Sequence, residues 1–217
     1  MTSIIGITTD LQENRYKVRK EYAEAIENAG GIPFLLPPIS GMEARYIELC
    51  DGFIFTGGDD PIMEHWGIQS NSLTTPVNKR RQDFELNLLS ELQHHPEKPV
   101  LGVCLGMQWM CLIAGGSIEQ DLAEPFASNH KNQSHKIDGE LGTGFVHSHH
   151  HQAMNTAGSL TIIATADDGV IEAVQDKQRS WYLGVQWHPE RTEDVALGQG
   201  LFNILVQSCS HKTVSNR

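Results

Sequence analysis

Short runs of β-branched and apolar residues alternate along this chain with longer stretches whose apolar positions recur every three or four residues. The first pattern predicts strands buried on both faces and the second predicts amphipathic helices. Their alternation predicts an α/β fold with three layers, a largely parallel central sheet carrying helices on its flanks. Ile4–Thr8 reads as a first strand, and Val18–Ala29 as a helix stopped by Gly30-Gly31. Ile32–Leu36 is a second strand, closed by Pro37-Pro38, and Ser40 stands where it could cap a short helix reaching Leu49. Gly52–Thr56 is strand-like and runs into Gly57-Gly58-Asp59-Asp60. Asn78–Gln93 places Phe84, Leu86, Leu88, Leu89 and Leu92 among charged residues, which predicts a helix.

The most apolar stretch follows. Pro99–Val103 predicts a buried strand and Leu105–Ala114 a core helix ended by Gly115-Gly116. Trp109, Met110, Leu112 and Ile113 are core positions on this reading, as is Cys111, which shares a helical face with Cys104. Leu160–Thr165 and Val170–Gln175 read as strands paired around the Asp167-Asp168-Gly169 turn. Tyr182–Trp187 is one more strand, ending at His188-Pro189-Glu190, and a last helix is expected from Asp194 to Ser208. The polar tail over 211–217 is expected to fray. With no internal repeat and no linker composition, one domain over 1–210 is expected.

Composition narrows the function more than the fold. The 217 residues carry a formal net charge of −11, which argues against nucleic-acid or anionic-membrane partners. No apolar run approaches the ~18 residues needed to span a bilayer, and MTSIIGITTD lacks the parts of a secretory signal. The four cysteines (Cys50, Cys104, Cys111, Cys209) form no CxxC pair and no disulfide framework, so a reducing cytoplasm is the expected compartment.

Gly102-Val103-Cys104-Leu105-Gly106, between a predicted strand and a predicted helix, has the form of a nucleophile elbow with cysteine as nucleophile. The turn is sharp, so glycines two residues to either side let the chain pass close by. The helix N-terminus that follows favours thiolate, the reactive form. Alone, the five residues fit a buried structural cysteine almost as well. Two further loops change the balance. Glycine in Gly57-Gly58-Asp59-Asp60 lets a backbone N–H face the cleft as an oxyanion donor, with the Leu105 N–H as the second. In Gly184-Val185-Gln186-Trp187-His188-Pro189-Glu190, His188 could take and return the thiol proton while Glu190 orients its ring. Each loop alone is a turn or a surface feature. Three at strand ends, on the edge where parallel strands finish together, are a site.

With these residues in view, the chain resembles the class I (triad) glutamine amidotransferase superfamily, and within it the γ-glutamyl hydrolase branch that includes γ-glutamyl-γ-aminobutyrate hydrolases. The resemblance spans nearly the whole chain: IIGITTD, AGGIPFLLPP, CDGFIFTGGDDP, RRQDFELNLL, KPVLGVCLGMQ with GGSIEQDL, HSHHHQA and GVQWHPE. It implies the flavodoxin-like fold of that superfamily, a Cys104–His188–Glu190 triad and a glutamyl-thioester intermediate. It further implies an oxyanion hole from the N–H groups of Gly58 and Leu105. Gln108 matches the CxGxQ glutamine that helps hold the α-amino and α-carboxylate end of the substrate. Gly57 and the loop residues Ser148, His149 and His150 belong to the implied glutamyl pocket. The chain departs from the branch in having Leu105 where arginine is frequent, Val146-His147-Ser148 where Val-Asn-Ser is usual, and shorter stretches after Asp60 and from Asp121 to Phe145.

The expected activity is hydrolysis of a γ-glutamyl amide, with a glutaminase subunit feeding ammonia to a separate synthetase as the alternative. The partners are then a small γ-glutamyl compound or glutamine, with a synthetase and a second copy of the chain left open. No cofactor and no metal is expected. His147, His149 and His151 could share one face of an extended segment, but no cysteine or carboxylate adjoins them in sequence. Asp59-Asp60 with Glu64 and His65 reads as a solvated rim, and Arg80-Arg81 as a solvated helix start.

Overall fold

In a computed structural model, residues 2–209 are described, and the expected frayed tail lies outside them. The strands are β1 (Ile4–Thr8), β2 (Asp10–Gln12), β3 (Arg15–Lys17), β4 (Ile32–Leu36), β5 (Gly52–Phe55), β6 (Val100–Val103), β7 (Ser117–Glu119), β8 (Lys131–Gly139), β9 (Gly144–His149), β10 (Ala153–Thr156), β11 (Thr161–Ala166), β12 (Ile171–Gln175) and β13 (Tyr182–Val185). The α-helices are α1 (Lys20–Asn28), α2 (Glu43–Leu49), α3 (Lys79–Leu92), α4 (Leu105–Ile113), α5 (Phe126–His130) and α6 (Gln199–Cys209).

Nine strands form one sheet in the order β4-β1-β5-β6-β13-β12-β11-β8-β9. The first five run parallel, and the next four pair antiparallel. The largely parallel sheet of the sequence reading is therefore the half that carries β5, β6 and β13. A mixed, antiparallel extension completes it. Strands β1, β5, β6 and β13 are buried along nearly their whole length, the sequence signature of a sheet covered on both faces. One face packs Tyr46, Phe84, Leu88 and Trp109 of α2, α3 and α4, and the other packs Tyr22, Ile26, Phe202 and Leu205 of α1 and α6. The result is the three-layer α/β architecture expected.

Local chemistry explains where the elements stop. Asn78 caps α3, its Oδ1 accepting from the Arg80 N–H at 3.0 Å. Ser40 does not cap α2: that helix begins at Glu43 behind Met42, without a side-chain cap. The helix predicted from Val18 begins at Lys20, because residues 10–17 fold into the β2–β3 hairpin instead. Likewise the C-terminal helix starts at Gln199 rather than Asp194. The Asp194 Oδ1 is spent on the Ala196 and Leu197 N–H groups in the preceding turn. Helix α4 is buried nearly all round, as its composition demands.

Strand β6 lies between β5 and β13, with Phe55 and Gly184 both in register with Gly102. The loops after these three parallel strands leave from one edge of the sheet, with the loop after β6 in the middle. That arrangement alone brings the three sequence features together.

Candidate active site

Cys104 occupies the turn between β6 and α4 with φ 49° and ψ −103°, a backbone conformation that L-residues rarely adopt. The glycines around it make the turn possible. A Cβ on Gly102 would stand 2.7 Å from the Gly106 carbonyl carbon, and one on Gly106 2.2 Å from the Phe55 carbonyl oxygen. Side chains at either position would push α4 off the sheet. The Cys104 N–H donates to the Val185 carbonyl at 2.8 Å, which ties the elbow to β13.

Burial pushes the Cys104 thiol up to about 12, the charge of Glu190 adds to the rise, and the Leu105 N–H works against it. Cys50 and Cys111 are raised to about 12 as well, with burial the first cause in each. Acidity therefore does not single out Cys104. Its place does: it is the cysteine that lines a cavity, and it lines two. The Gln186 side-chain amide donates to Cys104 Sγ at 3.5 Å and its Oε1 accepts from Gln108 Nε2 at 3.4 Å. Gln186 is fully buried, and its sequence neighbourhood gives no sign of this role because a glutamine at a strand end usually faces water.

His188 and Glu190 meet as expected. His188 Nδ1 lies 2.7 Å from Glu190 Oε1, and the two side chains are 7% and 0% exposed. Burial alone would raise the Glu190 carboxyl, but the adjoining His188 ring outweighs it and holds the group below the usual carboxylate range. With Nδ1 committed to Glu190, Nε2 is the ring nitrogen left for chemistry. The backbone holding the ring is braced: the His188 N–H donates to the His147 carbonyl at 2.8 Å, and Thr192 Oγ1 donates to the His188 carbonyl at 2.9 Å.

The Gly57-Gly58 loop closes the third side. A Cβ on Gly57 would lie 2.8 Å from His188 Cε1 and 3.5 Å from Cys104 Cβ, so glycine is what lets the two side chains share this corner. The Gly57 N–H donates to the Tyr22 hydroxyl at 3.2 Å, and its carbonyl accepts from Arg81 Nη2 at 3.0 Å. Both polar groups of Gly57 are thus occupied, while the N–H of Gly58 has no acceptor among the described residues.

Arg81 overturns the reading of a solvated helix start. It is fully buried, with Nε on Glu85 Oε1 at 3.0 Å and Nη2 on the Thr56 and Gly57 carbonyls at 2.9 and 3.0 Å. Glu85 in turn accepts from Trp109 Nε1 at 2.7 Å, so a buried ion pair fixes the glycine loop against α3 and α4.

Two cavities meet at Cys104. The smaller, of about 220 Å³, is lined by Gly58, Gln108, His149, His150, His151 and Gln152 among others. The larger, of about 370 Å³, is lined by Gly57, Gly58, Tyr22, His149 and His188, together with Lys17, Arg19 and Arg191. Gln108 is buried, His149 is exposed and borders both cavities, and His150 is buried with only its edge at the smaller one. Ser148 is fully buried and lines neither. His151 bridges Asp60 and Asp121 at 3.0 and 3.2 Å, so carboxylates distant in sequence do reach the histidine segment. Asp59 and Asp60 are half-buried and line the cavities, whereas Glu64 and His65 are exposed beside them.

A profile of the family described as Peptidase C26 matches residues 3–190. Protein NtpR of Enterococcus hirae is 32% identical over 94% of this chain and 95% of its own. The γ-glutamyl-γ-aminobutyrate hydrolase PuuD of Escherichia coli (strain K12) is 25% identical over 96% and 94%. Among solved structures, a glutamine amidotransferase from Thermotoga maritima superposes with a TM-score of 0.63 at 14% identity, covering 88% of this chain and 77% of that one. A GMP synthase component from Thermoplasma acidophilum superposes with a TM-score of 0.68 at 15% identity, covering 96% and 95%. At those identities the likeness concerns the fold alone. No described helix is long and apolar enough to cross a membrane.

Proposed function

This chain belongs to the peptidase C26 family, and from that premise we propose that it hydrolyses a γ-glutamyl amide with Cys104 as nucleophile, His188 as proton carrier and Glu190 as the group that orients it. The observation that carries the reading is the pairing of the His188–Glu190 contact at 2.7 Å with a strained cysteine elbow on the same cavity wall.

The chemistry follows from the resting protonation. A thiol raised to about 12 waits as the thiol, so its proton leaves for His188 Nε2 as Sγ bonds to the amide carbon. Negative charge moves to the carbonyl oxygen, where the N–H groups of Gly58 and Leu105 are the proposed donors. Collapse breaks the C–N bond, and the imidazolium returns its proton to the departing amine. The product is a thioester on Cys104. Water then attacks it, giving its proton to His188, and the second collapse frees glutamate and the thiol.

The two cavities suggest the division of the substrate. Gln108 and the 148–152 loop surround the smaller one, which suits the α-amino and α-carboxylate end of a glutamyl group. Lys17, Arg19 and Arg191 on the larger one outnumber Asp10 and Asp59, which supports an amine half that carries its own negative charge. The substrate in the name of PuuD has such a carboxylate on its amine half.

A second reading rests on Leu105. This side chain is fully buried where relatives in the hydrolase branch frequently carry arginine, and it suits a glutaminase whose ammonia serves a synthetase. Glutamate release from a panel of γ-glutamyl amides and from glutamine, by the chain alone and with cell extract, separates the two. The hydrolase reading expects turnover of an anionic γ-glutamyl amide by the chain alone, and loss of at least about 10³-fold in Cys104→Ser. Turnover only of glutamine, and only with extract, favours the second reading; activity retained by Cys104→Ser ends both.

A further inference from the structure

A second group of ionisable side chains lies at the far end of the histidine segment. His130 ends α5, His135 sits in β8, Glu172 in β12 and His150 just after β9. His130 and Glu172 are fully buried, and the His135 and His150 side chains are 12% and 2% exposed. Three ring nitrogens converge on one oxygen: His130 Nδ1, His135 Nε2 and His150 Nε2 stand 3.3, 3.2 and 3.6 Å from Glu172 Oε1. None of these contacts has hydrogen-bond geometry, and all four atoms lack a hydrogen-bond partner.

The outer contacts say what those nitrogens present. His150 Nδ1 lies 2.8 Å from the Gln152 carbonyl, which can only accept, so that nitrogen carries a proton. His130 Nε2 lies 3.0 Å from Asp168 Oδ2 and carries one for the same reason. In each neutral ring the other nitrogen, the one turned to Glu172, offers a lone pair. Lone pairs facing a buried carboxylate with no hydrogen between them repel, unless a cation stands in their midst.

We propose that His130, His135, His150 and Glu172 form a closed tetrahedral site for one zinc ion. With bonds of about 2.0–2.2 Å, the donors of a tetrahedral zinc stand about 3.3–3.6 Å apart, the spacing found around Glu172 Oε1. The atoms of His130, His135 and Glu172 all lie within 4.8 Å of one another. Imidazole and carboxylate donors without thiolate suit zinc. The carboxylate of Asp168 behind His130 and the carbonyl behind His150 are the outer contacts that fix the ring orientation of metal-bound histidines. A cavity of about 250 Å³ bordered by Asn129, Gln133, His135 and Asp168 provides the way in.

The ion would clamp α5, β8 and β12 to the segment that carries His149 beside Cys104. Its role is to hold the wall of the smaller cavity, and it takes no part in bond breaking. Consecutive histidines do not build this site: His150 alone of that run belongs to it, and its companions come from distant elements.

The test is metal binding by the purified full chain after chelator treatment, with zinc(II) measured by competition and cobalt(II) by its visible spectrum. Wild type takes up one equivalent of zinc and gives the intense ligand-field bands of tetrahedral cobalt. Glu172→Gln loses the site, and the milder Asp168→Asn, checked for fold by circular dichroism, weakens zinc ~10–100-fold. Cys104→Ser binds as wild type does, which separates this site from the thiol of the cleft. Wild type that retains no zinc, a weak octahedral cobalt spectrum, or zinc affinity indifferent to Asp168→Asn would each overturn the proposal.

Discussion

Glu190 and Glu172 are both carboxylates with fully buried side chains beside histidines, yet their surroundings differ in a way that separates two uses of the same chemistry. Glu190 has one histidine, in line at 2.7 Å, on a loop that borders the open cleft. Glu172 has three, at 3.2–3.6 Å, none aligned with it, and walls of β8, β11 and β12 around it. An aligned pair with one free ring nitrogen can accept and return a proton. Several rings turned on one oxygen can instead hold a cation in place. A third buried glutamate, Glu85, marks the ordinary structural case: Arg81 and Trp109 satisfy it completely.

The contrast can be broken from either side. Glu190→Gln leaves the His188 ring without its carboxylate, and kcat for a γ-glutamyl amide should fall by ~10²–10⁴-fold with the fold intact. A steady-state assay with circular dichroism checks this. Glu172→Gln should act on the other axis. Removing one member of a buried charged cluster costs ~3–5 kcal/mol, read as a lowered urea midpoint, while kcat of the folded enzyme falls less than in Glu190→Gln. If Glu172→Gln abolished turnover without changing stability, the two sites would not be distinct.

The smallest effect concerns pH. The Glu190 carboxyl is lower in the folded state than in the unfolded chain, whose value is about 4.3. The stability it contributes is therefore complete above that value and is lost as pH falls through the folded one. Urea midpoints taken downward from neutral pH should fall more steeply for wild type than for Glu190→Gln in the acid range. Parallel profiles would mean that the carboxylate is not held as its contacts require.

Much of the catalytic edge is legible in the sequence because its signals are local. Buried runs such as GFIF of β5 and VLGV of β6 declare fully covered strands, and glycines with Cys104 or His188 at their ends mark the shared edge. The segment from 117 to 156 carries no such signal. Its strand β8, KNQSHKIDG, exposes nearly every side chain but Ile137, so no apolar alternation betrays it. The β2–β3 hairpin is three residues per strand and equally polar. Arg81 reads as solvated because nothing near it in sequence announces that the carbonyls of Thr56 and Gly57 will come to its guanidinium. The cluster of His130, His135 and Glu172 lacks any ligand spacing, since three separate elements supply it. Tertiary assembly decides such residues, and the sequence pattern is silent on them.

That position rather than acidity makes Cys104 the nucleophile is tested most directly by a glutamine-derived diazo-ketone with peptide mapping. All four cysteines are buried, and three of their thiols are raised to about 12 alike. Label is expected on Cys104 alone, slowed by a γ-glutamyl substrate and absent in Cys104→Ser. Label on Cys50, Cys111 or Cys209 with Cys104 untouched would contradict it.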